Sequence, residues 1–178
     1  YPTIDEIIKL KKKIILSTGN STLKEIRKTI THIKNKSKYV YKNLSLLHCV
    51  SLYPTSIDDA NIGKINILKK KYPKLTIGYS NHCIEKEAVL SAVSLGAKII
   101  EIHITDYKKN KKFRDHKLSF DRQNLKELVS SIRLTHRAIK KTIVNPSKDQ
   151  NKIKKFMRKG IIAINPIKIG QKFKKSNL

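Results

Sequence analysis

The sequence contains few cysteines, few acidic residues and few aromatic residues, and it has no long apolar run. Its two cysteines, Cys49 and Cys83, do not form a disulfide framework or a close metal-binding pair, so we predict reduced, buried thiols. No apolar run approaches the roughly 20 residues that a membrane span requires. Residues 1–13 have early acids and no apolar core after their basic residues, which is unlike a signal peptide. These absences predict a cytoplasmic protein.

The scarcity of acidic residues leaves the chain strongly basic. Lysines and arginines number 40 against 13 aspartates and glutamates, which gives a formal net charge of +27. This excess is typical of nucleic-acid binding, but also of compositional drift, because an AT-rich genome favours lysine, isoleucine and asparagine. Aromatic residues make up only 6% of the chain and do not interleave with the basic runs as a stacking surface would. We therefore favour drift and expect no specific nucleic-acid binding, although a basic surface still attracts anions.

Apolar, β-branched segments alternate with segments of helical periodicity between residues 13 and 141. In the first helical segment, Thr22 and Glu25 have the spacing of a capping box. Near-continuous apolar strands indicate a parallel sheet covered by helices. The pattern predicts four βα units, which form either half of an eight-fold β/α barrel or one small doubly wound sheet. The predicted strands span 13–17, 43–50, 75–80 and 98–105, and the predicted helices span 22–35, 58–72, 85–95 and 121–141.

Two histidines occupy matching places on the third and fourth predicted strands. His82 ends the run LTIGYSNH and His103 lies in KIIEIHIT, with one helix-length stretch between them. The C-terminal ends of neighbouring parallel strands lie side by side, where α/β enzymes build their sites. Two neutral imidazoles that converge from adjacent strands supply half of a metal site, so the pair predicts a metal centre. Cys83 could add a ligand, but we favour a packing role, since a thiolate would imply zinc.

Other polar residues also follow the predicted strands. Residues 17–19, Ser-Thr-Gly, join the first strand to a helix, where small hydroxyl groups and free N–H groups suit a phosphate or carboxylate. An ordinary capped turn explains the same residues. Ser80 has the equivalent place on the third strand, and Tyr53 stands in the loop after the second. His48 is predicted to be a hydrogen-bonded core residue, and Asp115 lies in a charged loop that solvation alone would explain.

The C-terminal part of the chain differs in composition from the four units. Residues 143–157 are polar and rich in lysine, and we predict a linker there. Residues 158–178 suggest a short strand, a turn and the beginning of another strand. We expect this segment to stop before a second domain could be completed.

Five short motifs between residues 17 and 119 carry a specific family resemblance, which covers roughly residues 1–160. The chain contains, in order, STGNSTLKEI, LLHCVSLYPT, IGYSNH, GAKIIEIHIT and RDHKLS. Together they resemble the motifs of the sialic acid synthase family, which includes the N-acetylneuraminate, pseudaminic acid and legionaminic acid synthases. The resemblance implies an α/β fold with the C-terminal half of a TIM-type (β/α)8 barrel over residues 1–142. It also implies that residues 158–178 are the truncated start of an antifreeze-like (SAF) domain.

The resemblance further implies a reaction and the residues that perform it. The family's enzymes condense phosphoenolpyruvate with N-acetylmannosamine or a related hexosamine, which gives a nine-carbon 2-keto sugar acid and phosphate. They require a divalent metal, commonly Mn²⁺ or Mg²⁺, and the full-length enzymes are homodimers. At matching positions, the resemblance implies metal binding by His82 and His103, phosphate contacts by Ser17 and Ser80, and substrate-binding and catalytic roles for Tyr53 and Asp115.

The chain departs from the family pattern at several positions. Asn81 replaces the usual aspartate, Ser51 a common asparagine, Asn20 the usual methionine and Ile102 the usual lysine. The four units also correspond to half of a barrel, and the other half carries a lysine and a glutamate that the family uses. Three hypotheses remain: part of a synthase that acts only with the missing half, a non-catalytic degenerate product, or a basic nucleic-acid-binding α/β protein. The retained site residues favour the first.

Overall fold

A computed structural model describes residues 1–106 and 114–178, apart from the side chains of Arg114 and Lys155. The chain divides into two compact units, Tyr1–Lys140 and Lys141–Leu178. We call them the N-terminal unit and the C-terminal unit and describe each by itself. Among the described residues, no helix is long and apolar enough to cross a membrane.

Helices and strands alternate along the N-terminal unit. A single 3₁₀ turn, Asp58–Ala60, follows the second strand. The strands are β1 (Ile14–Ser17), β2 (Leu44–His48), β3 (Thr76–Ser80) and β4 (Ile100–Glu101), and the helices are α1 (Pro2–Lys9), α2 (Leu23–Lys36), α3 (Lys38–Lys42), α4 (Lys64–Lys71), α5 (Lys86–Ser94), α6 (Arg114–Leu118) and α7 (Arg122–Ile139).

The four strands form one parallel sheet in the order β1-β2-β3-β4. A doubly wound sheet reverses its strand order at a switch point, whereas a β/α barrel places each new strand beside the one before it. Each strand here lies next to its predecessor in the chain, with at least one helix between them. The fold is therefore a partial TIM-type barrel, as predicted from the sequence. The antifreeze-like (SAF) segment of that prediction stays a prediction.

The two faces of the sheet are different. Leu46 of β2 and Tyr79 of β3 belong to the hydrophobic core, which also contains buried residues of α2, α4, α5 and α7. Side chains alternate along a strand, so the neighbours of these core residues point to the opposite face. On that face Ile15 is 54% exposed, and Ser17 and Glu101 are also exposed. Helices of the described chain thus cover one face, and the other carries polar residues near its C-terminal edge.

The long helices form where capping and periodicity predict them. The hydroxyl of Thr22 accepts a hydrogen bond from the Glu25 N–H at 3.3 Å, and the Glu25 carboxylate accepts one from the Thr22 N–H at 2.8 Å. This capping box begins α2, whose buried face contacts the sheet through isoleucines. Asp121 caps α7, since its carboxylate accepts a hydrogen bond from the Asn124 N–H at 2.9 Å.

The structure also differs from the prediction in several elements. Helices α1 and α3 are present where none was predicted. The predicted helix 58–72 is split, because Asn61 has a left-handed φ of 47° between the 3₁₀ turn and α4. The charged loop predicted to contain Asp115 lies partly outside the described residues, and Asp115 itself stands on α6. Strand β4 is shorter than predicted and pairs with β3 over two residues only.

The C-terminal unit contains one helix, α8 (Lys148–Met157), among turns. A capping box of Ser147 and Gln150 begins this helix within the segment that was predicted to be a linker. The short strand predicted in residues 158–178 is not formed, and apolar side chains there are exposed, such as Ile161 at 83% and Phe173 at 75%. Because this segment pairs with no strand in the described chain, its backbone lacks the ladder that a strand requires.

Candidate active site

Three aromatic rings meet beyond the C-terminal ends of β2, β3 and β4. The ring centre of Tyr53 lies 4.1 Å from that of His82 and 5.8 Å from that of His103, and the two imidazole centres are 5.4 Å apart. His82 and His103 each stand two residues after the end of a strand, so the register of neighbouring strands brings them together. The structure therefore gathers the two histidines as the sequence pattern predicts.

A backbone carbonyl fixes the orientation of the His82 ring. Nδ1 of His82 contacts the carbonyl oxygen of Val50 within hydrogen-bond distance. A carbonyl can only accept, so Nδ1 carries the proton and donates it. The Nε2 lone pair is then available to a metal, which is the arrangement in which outer hydrogen bonds commonly hold metal-ligating histidines.

The loop after β2 is tied to the segment that carries His82. The Thr55 N–H donates to the His82 carbonyl at 2.8 Å, and the Thr55 hydroxyl donates to the Leu52 carbonyl at 2.8 Å. A parallel bridge also joins Thr55 to Cys83. These contacts hold Tyr53 against the His82 ring, because Tyr53 lies between the tied residues.

The side chain of Asn81 also holds the segment that carries His82. Its amide group donates to the Cys83 carbonyl at 2.8 Å, and its carbonyl oxygen accepts from the Cys83 N–H at 3.2 Å and from the Tyr79 hydroxyl at 3.1 Å. Burial raises the pKa of Tyr79 far above its ordinary value, so this hydroxyl keeps its proton and donates. An ionised aspartate has no proton to donate to the Cys83 carbonyl. The asparagine, which departs from the family pattern, therefore makes three hydrogen bonds that an ionised aspartate could not all make.

The two imidazoles fit a shared metal ion. Two imidazoles on one ion have ring centres about 5 Å apart, given metal–nitrogen distances of about 2.1 Å, which agrees with the 5.4 Å between His82 and His103. No group of three or more His, Cys, Asp or Glu side chains in residues 1–106 and 114–178 is arranged to hold a metal. Oxygen atoms of water or substrate would have to complete the coordination, as Mn²⁺ and Mg²⁺ prefer.

A hydrogen-bonded pair that the sequence patterns did not predict lies beside the histidines. The hydroxyl of Ser80, which is buried, donates to the Glu101 carboxylate at 2.6 Å. The two residues are register partners on neighbouring strands, so their side chains share one face of the sheet. Glu101 could have been found from strand alternation, because it stands two residues before His103 on the same strand-like segment.

Ser17 lies at the C-terminal end of β1 and is exposed on the uncovered face. The turn after it is fixed to β2, since the N–H and the hydroxyl of Thr18 both donate to the Leu47 carbonyl at 2.9 Å. The turn is closely packed at Gly19, because a Cβ there would lie 2.2 Å from the hydroxyl oxygen of Ser51 and 2.8 Å from the sulfur of Cys49. The structure thus holds this serine beside β2, while its phosphate contact stays a prediction.

Asp115 lies on α6, and no described contact joins its side chain to the three rings. The helix is nevertheless anchored to the chain after β4. The Thr105 hydroxyl lies 3.0 Å from Nδ1 of His116, and the Phe120 N–H donates to the His103 carbonyl at 2.9 Å. The predicted contact of Asp115 with the sugar stays a prediction.

His48 and the two cysteines belong to the interior rather than to the ring cluster. Nε2 of His48 donates to the Ala60 carbonyl at 2.8 Å, and burial lowers the pKa of His48. Burial raises the pKa of both Cys49 and Cys83, so these buried thiols, which are not joined by a disulfide, keep their protons. The predictions of a core histidine and of buried cysteines are confirmed.

A parallel sheet wound in chain order, with polar rings beyond the C-terminal ends of its strands, defines the class of β/α-barrel proteins. Comparison with known families narrows this class. The family model described as the NeuB family matches residues 1–144, and the chain belongs to this family.

Relatives and solved structures agree with this membership. The chain is 39% identical to the N,N'-diacetyllegionaminic acid synthase of Campylobacter jejuni, over 99% of this chain and 52% of that protein. It is 33% identical to the N-acetylneuraminate-9-phosphate synthase of Drosophila melanogaster, over 74% of this chain and 34% of that protein. The crystal structure of the sialic acid synthetase from Leptospira borgpetersenii, in complex with citrate, superposes with a TM-score of 0.76 at 30% identity, over 87% of this chain and 52% of that one. The chain thus spans about half the length of the curated relatives that match nearly all of it.

Proposed function

We propose that this chain forms the metal- and phosphate-binding part of a synthase that condenses phosphoenolpyruvate with an N-acetylated hexosamine. The observation that carries the proposal is the cluster of Tyr53, His82 and His103 at the C-terminal edge of the sheet. Relatives named as legionaminic acid, N-acetylneuraminate-9-phosphate and pseudaminic acid synthases support it. The products would be a nine-carbon 2-keto sugar acid and phosphate.

The histidines would hold a divalent cation, Mn²⁺ or Mg²⁺, through their Nε2 atoms. A cation bound there supplies Lewis-acid polarisation of the aldehyde of the open-chain sugar. The carbonyl of Val50 keeps Nδ1 of His82 protonated, so that this ring coordinates with one defined nitrogen. Tyr53 covers one side of the His82 ring and excludes water from it.

The other residues would bind and orient the two substrates. The hydroxyl groups of Ser17 and Ser80 would donate to the phosphate of phosphoenolpyruvate and stabilise it as it leaves. Asp115 would accept hydrogen bonds from sugar hydroxyl groups. In the reaction, the methylene carbon of phosphoenolpyruvate forms a bond to the aldehyde carbon, water adds to the neighbouring carbon, and phosphate departs.

Turnover is proposed to need residues beyond these 178. The resemblance assigns a phosphate-binding lysine and an acid–base glutamate to positions that have no counterpart in this sequence, and it also implies a homodimer. We therefore expect only background phosphate release when the chain is mixed with Mn²⁺, phosphoenolpyruvate and N-acetylmannosamine. Robust phosphate release that disappears in His82→Ala would show that the chain is sufficient by itself.

Paramagnetic relaxation tests the proposed function without requiring turnover. Mn²⁺ held by His82 and His103 should broaden the proton NMR lines of phosphoenolpyruvate and N-acetylmannosamine when they bind beside it. The broadening should fall to the level of free Mn²⁺ in His82→Ala and His103→Ala and stay unchanged in His136→Ala, a variant of an exposed helix histidine. Equal broadening in all four proteins would place the substrates elsewhere and refute the proposal.

A further inference from the structure

The hydrogen bond between Ser80 and Glu101 joins the proposed phosphate-binding residue to the strand that leads to a proposed metal ligand. Ser80 is the residue expected to contact phosphate, and Glu101 stands two residues before a proposed metal ligand. Their oxygens are 2.6 Å apart, with the Ser80 hydroxyl as donor and the Glu101 carboxylate as acceptor. Any functional role for this hydrogen bond rests on the proposed function of the histidine pair and of Ser80.

This hydrogen bond conflicts with anion binding at Ser80. A serine hydroxyl has one proton, and Ser80 already donates it to a carboxylate. A phosphate group accepts hydrogen bonds, so it needs that proton. A carboxylate left within hydrogen-bond distance of Ser80 would also repel the incoming anion. An anion can therefore bind at Ser80 only when Glu101 turns away or its charge is balanced.

The position of Glu101 suggests where its carboxylate can turn. Glu101 and His103 are two residues apart, which corresponds to about 6–7 Å along an extended segment and to the same face. Glu101 is exposed, so its side chain has room to rotate. Within the described residues it does not join the two histidines as a third ligand. In this structure the carboxylate instead accepts the hydrogen bond from Ser80.

We propose that Ser80 and Glu101 couple metal binding to anion binding. A divalent cation on His82 and His103 attracts the Glu101 carboxylate, which leaves Ser80 and frees its hydroxyl for the phosphate. The coupling is reciprocal, because an anion that accepts the hydrogen bond of the Ser80 hydroxyl releases Glu101 to the cation. Glu101 is a positioning residue for the anion in this scheme, and Ser80 positions Glu101 in the metal-free protein.

Calorimetric titration with Mn²⁺ alone tests one direction of the coupling. Ser80→Ala removes the donor that holds Glu101, so the variant should bind Mn²⁺ about threefold to tenfold more tightly than wild type, the factor that one net hydrogen bond is worth. Glu101→Ala should bind Mn²⁺ more weakly. In the double variant, Ser80→Ala should have no further effect, since no carboxylate is left to release. Ser91→Ala, at an exposed helix position, serves as the control.

Titration with phosphoenolpyruvate in metal-free buffer tests the other direction. Glu101→Ala should bind phosphoenolpyruvate several-fold more tightly than wild type, because Ser80 is free and the opposing charge is gone. A variant that merely loses structure would bind more weakly. Glu101 is exposed, which makes this substitution tolerable even if Ser80→Ala fails to fold.

The outcomes separate this inference from the proposed function. If His82→Ala leaves Mn²⁺ binding unchanged, the metal site itself is wrong. If His82→Ala weakens Mn²⁺ binding but folded Ser80→Ala matches wild type, only the coupling is wrong. Phosphoenolpyruvate binding in Glu101→Ala that is no tighter than in wild type would overturn the coupling as well.

Discussion

At the scale of single residues, the surroundings of each histidine decide its chemistry. His48 is enclosed in the core, and this burial lowers its pKa and keeps it neutral while Nε2 donates to a backbone carbonyl. His82 also donates to a carbonyl, but its ring faces Tyr53 and His103 at the edge of the sheet. Sequence position predicts both placements, because one histidine ends a strand and the other stands beyond one. The identity of the acceptors could not be predicted, since Val50 and Ala60 both lie in the irregular segment after β2, whose path periodicity does not reveal.

The neutral state of His48 predicts a pH dependence of stability. Burial lowers its folded pKa, whereas in the unfolded chain a histidine takes up a proton near a pKa of about 6.5. The unfolded state therefore binds more protons at acidic pH, and the free energy of unfolding should fall as pH drops below about 6.5, with a slope of up to about 1.4 kcal/mol per pH unit. Urea unfolding between pH 7.5 and 5 measures this slope.

His48→Gln supplies the matched comparison, because its amide can still donate to the Ala60 carbonyl but does not titrate. We expect a flatter pH profile in this variant and an unchanged one in the exposed-site control His136→Gln. Identical slopes in His48→Gln and wild type would show that another group causes the dependence.

At the scale of elements, local signals predict some helices and miss others. The capping box at Thr22 and the apolar period after it predict α2 within one or two residues. Helix α8 was missed although Ser147 and Gln150 form a capping box. Its lysine-rich sequence indicated a linker, and the described residues of the helix form no buried stripe. Strand β4 is shorter than its apolar pattern predicts, since pairing depends on a neighbour that periodicity does not reveal.

The capping box of α2 predicts a measurable loss of stability when its threonine is replaced. Thr22→Ala removes the acceptor for the Glu25 N–H, and the free energy of unfolding should fall by about 1 kcal/mol. Thr31→Ala, at an exposed position inside the same helix, should change it by less than about 0.5 kcal/mol. Chemical denaturation of the two variants compares them directly, and an equal effect at both positions would rule out capping as the cause.

At the scale of the whole molecule, the winding of the sheet and the net charge lead to different conclusions. Strand order in sequence establishes the partial barrel and places the polar residues at one edge. The alternation of strands and helices predicts this architecture but leaves a doubly wound sheet open, because the order of strands depends on contacts distant in sequence. The net charge of +27 comes from lysines and arginines, and none of the three rings in the candidate site belongs to either residue type.

The charge predicts weak, non-selective binding to RNA. Binding that comes from surface lysines alone releases counterions, so its affinity should fall steeply between 50 and 200 mM salt. Fluorescence anisotropy with two single-stranded RNAs of equal length and unrelated sequence should give equal affinities. Nanomolar binding of only one of them at physiological salt would instead favour a dedicated nucleic-acid function.

The central claim is that His82 and His103 share one divalent cation at the C-terminal edge of the sheet. Calorimetric titration of the full 178-residue chain with Mn²⁺ tests it most directly. We predict one site per chain, weakened at least about tenfold by His82→Ala and by His103→Ala and unaffected by His136→Ala. The same affinity and stoichiometry in all four proteins would contradict it.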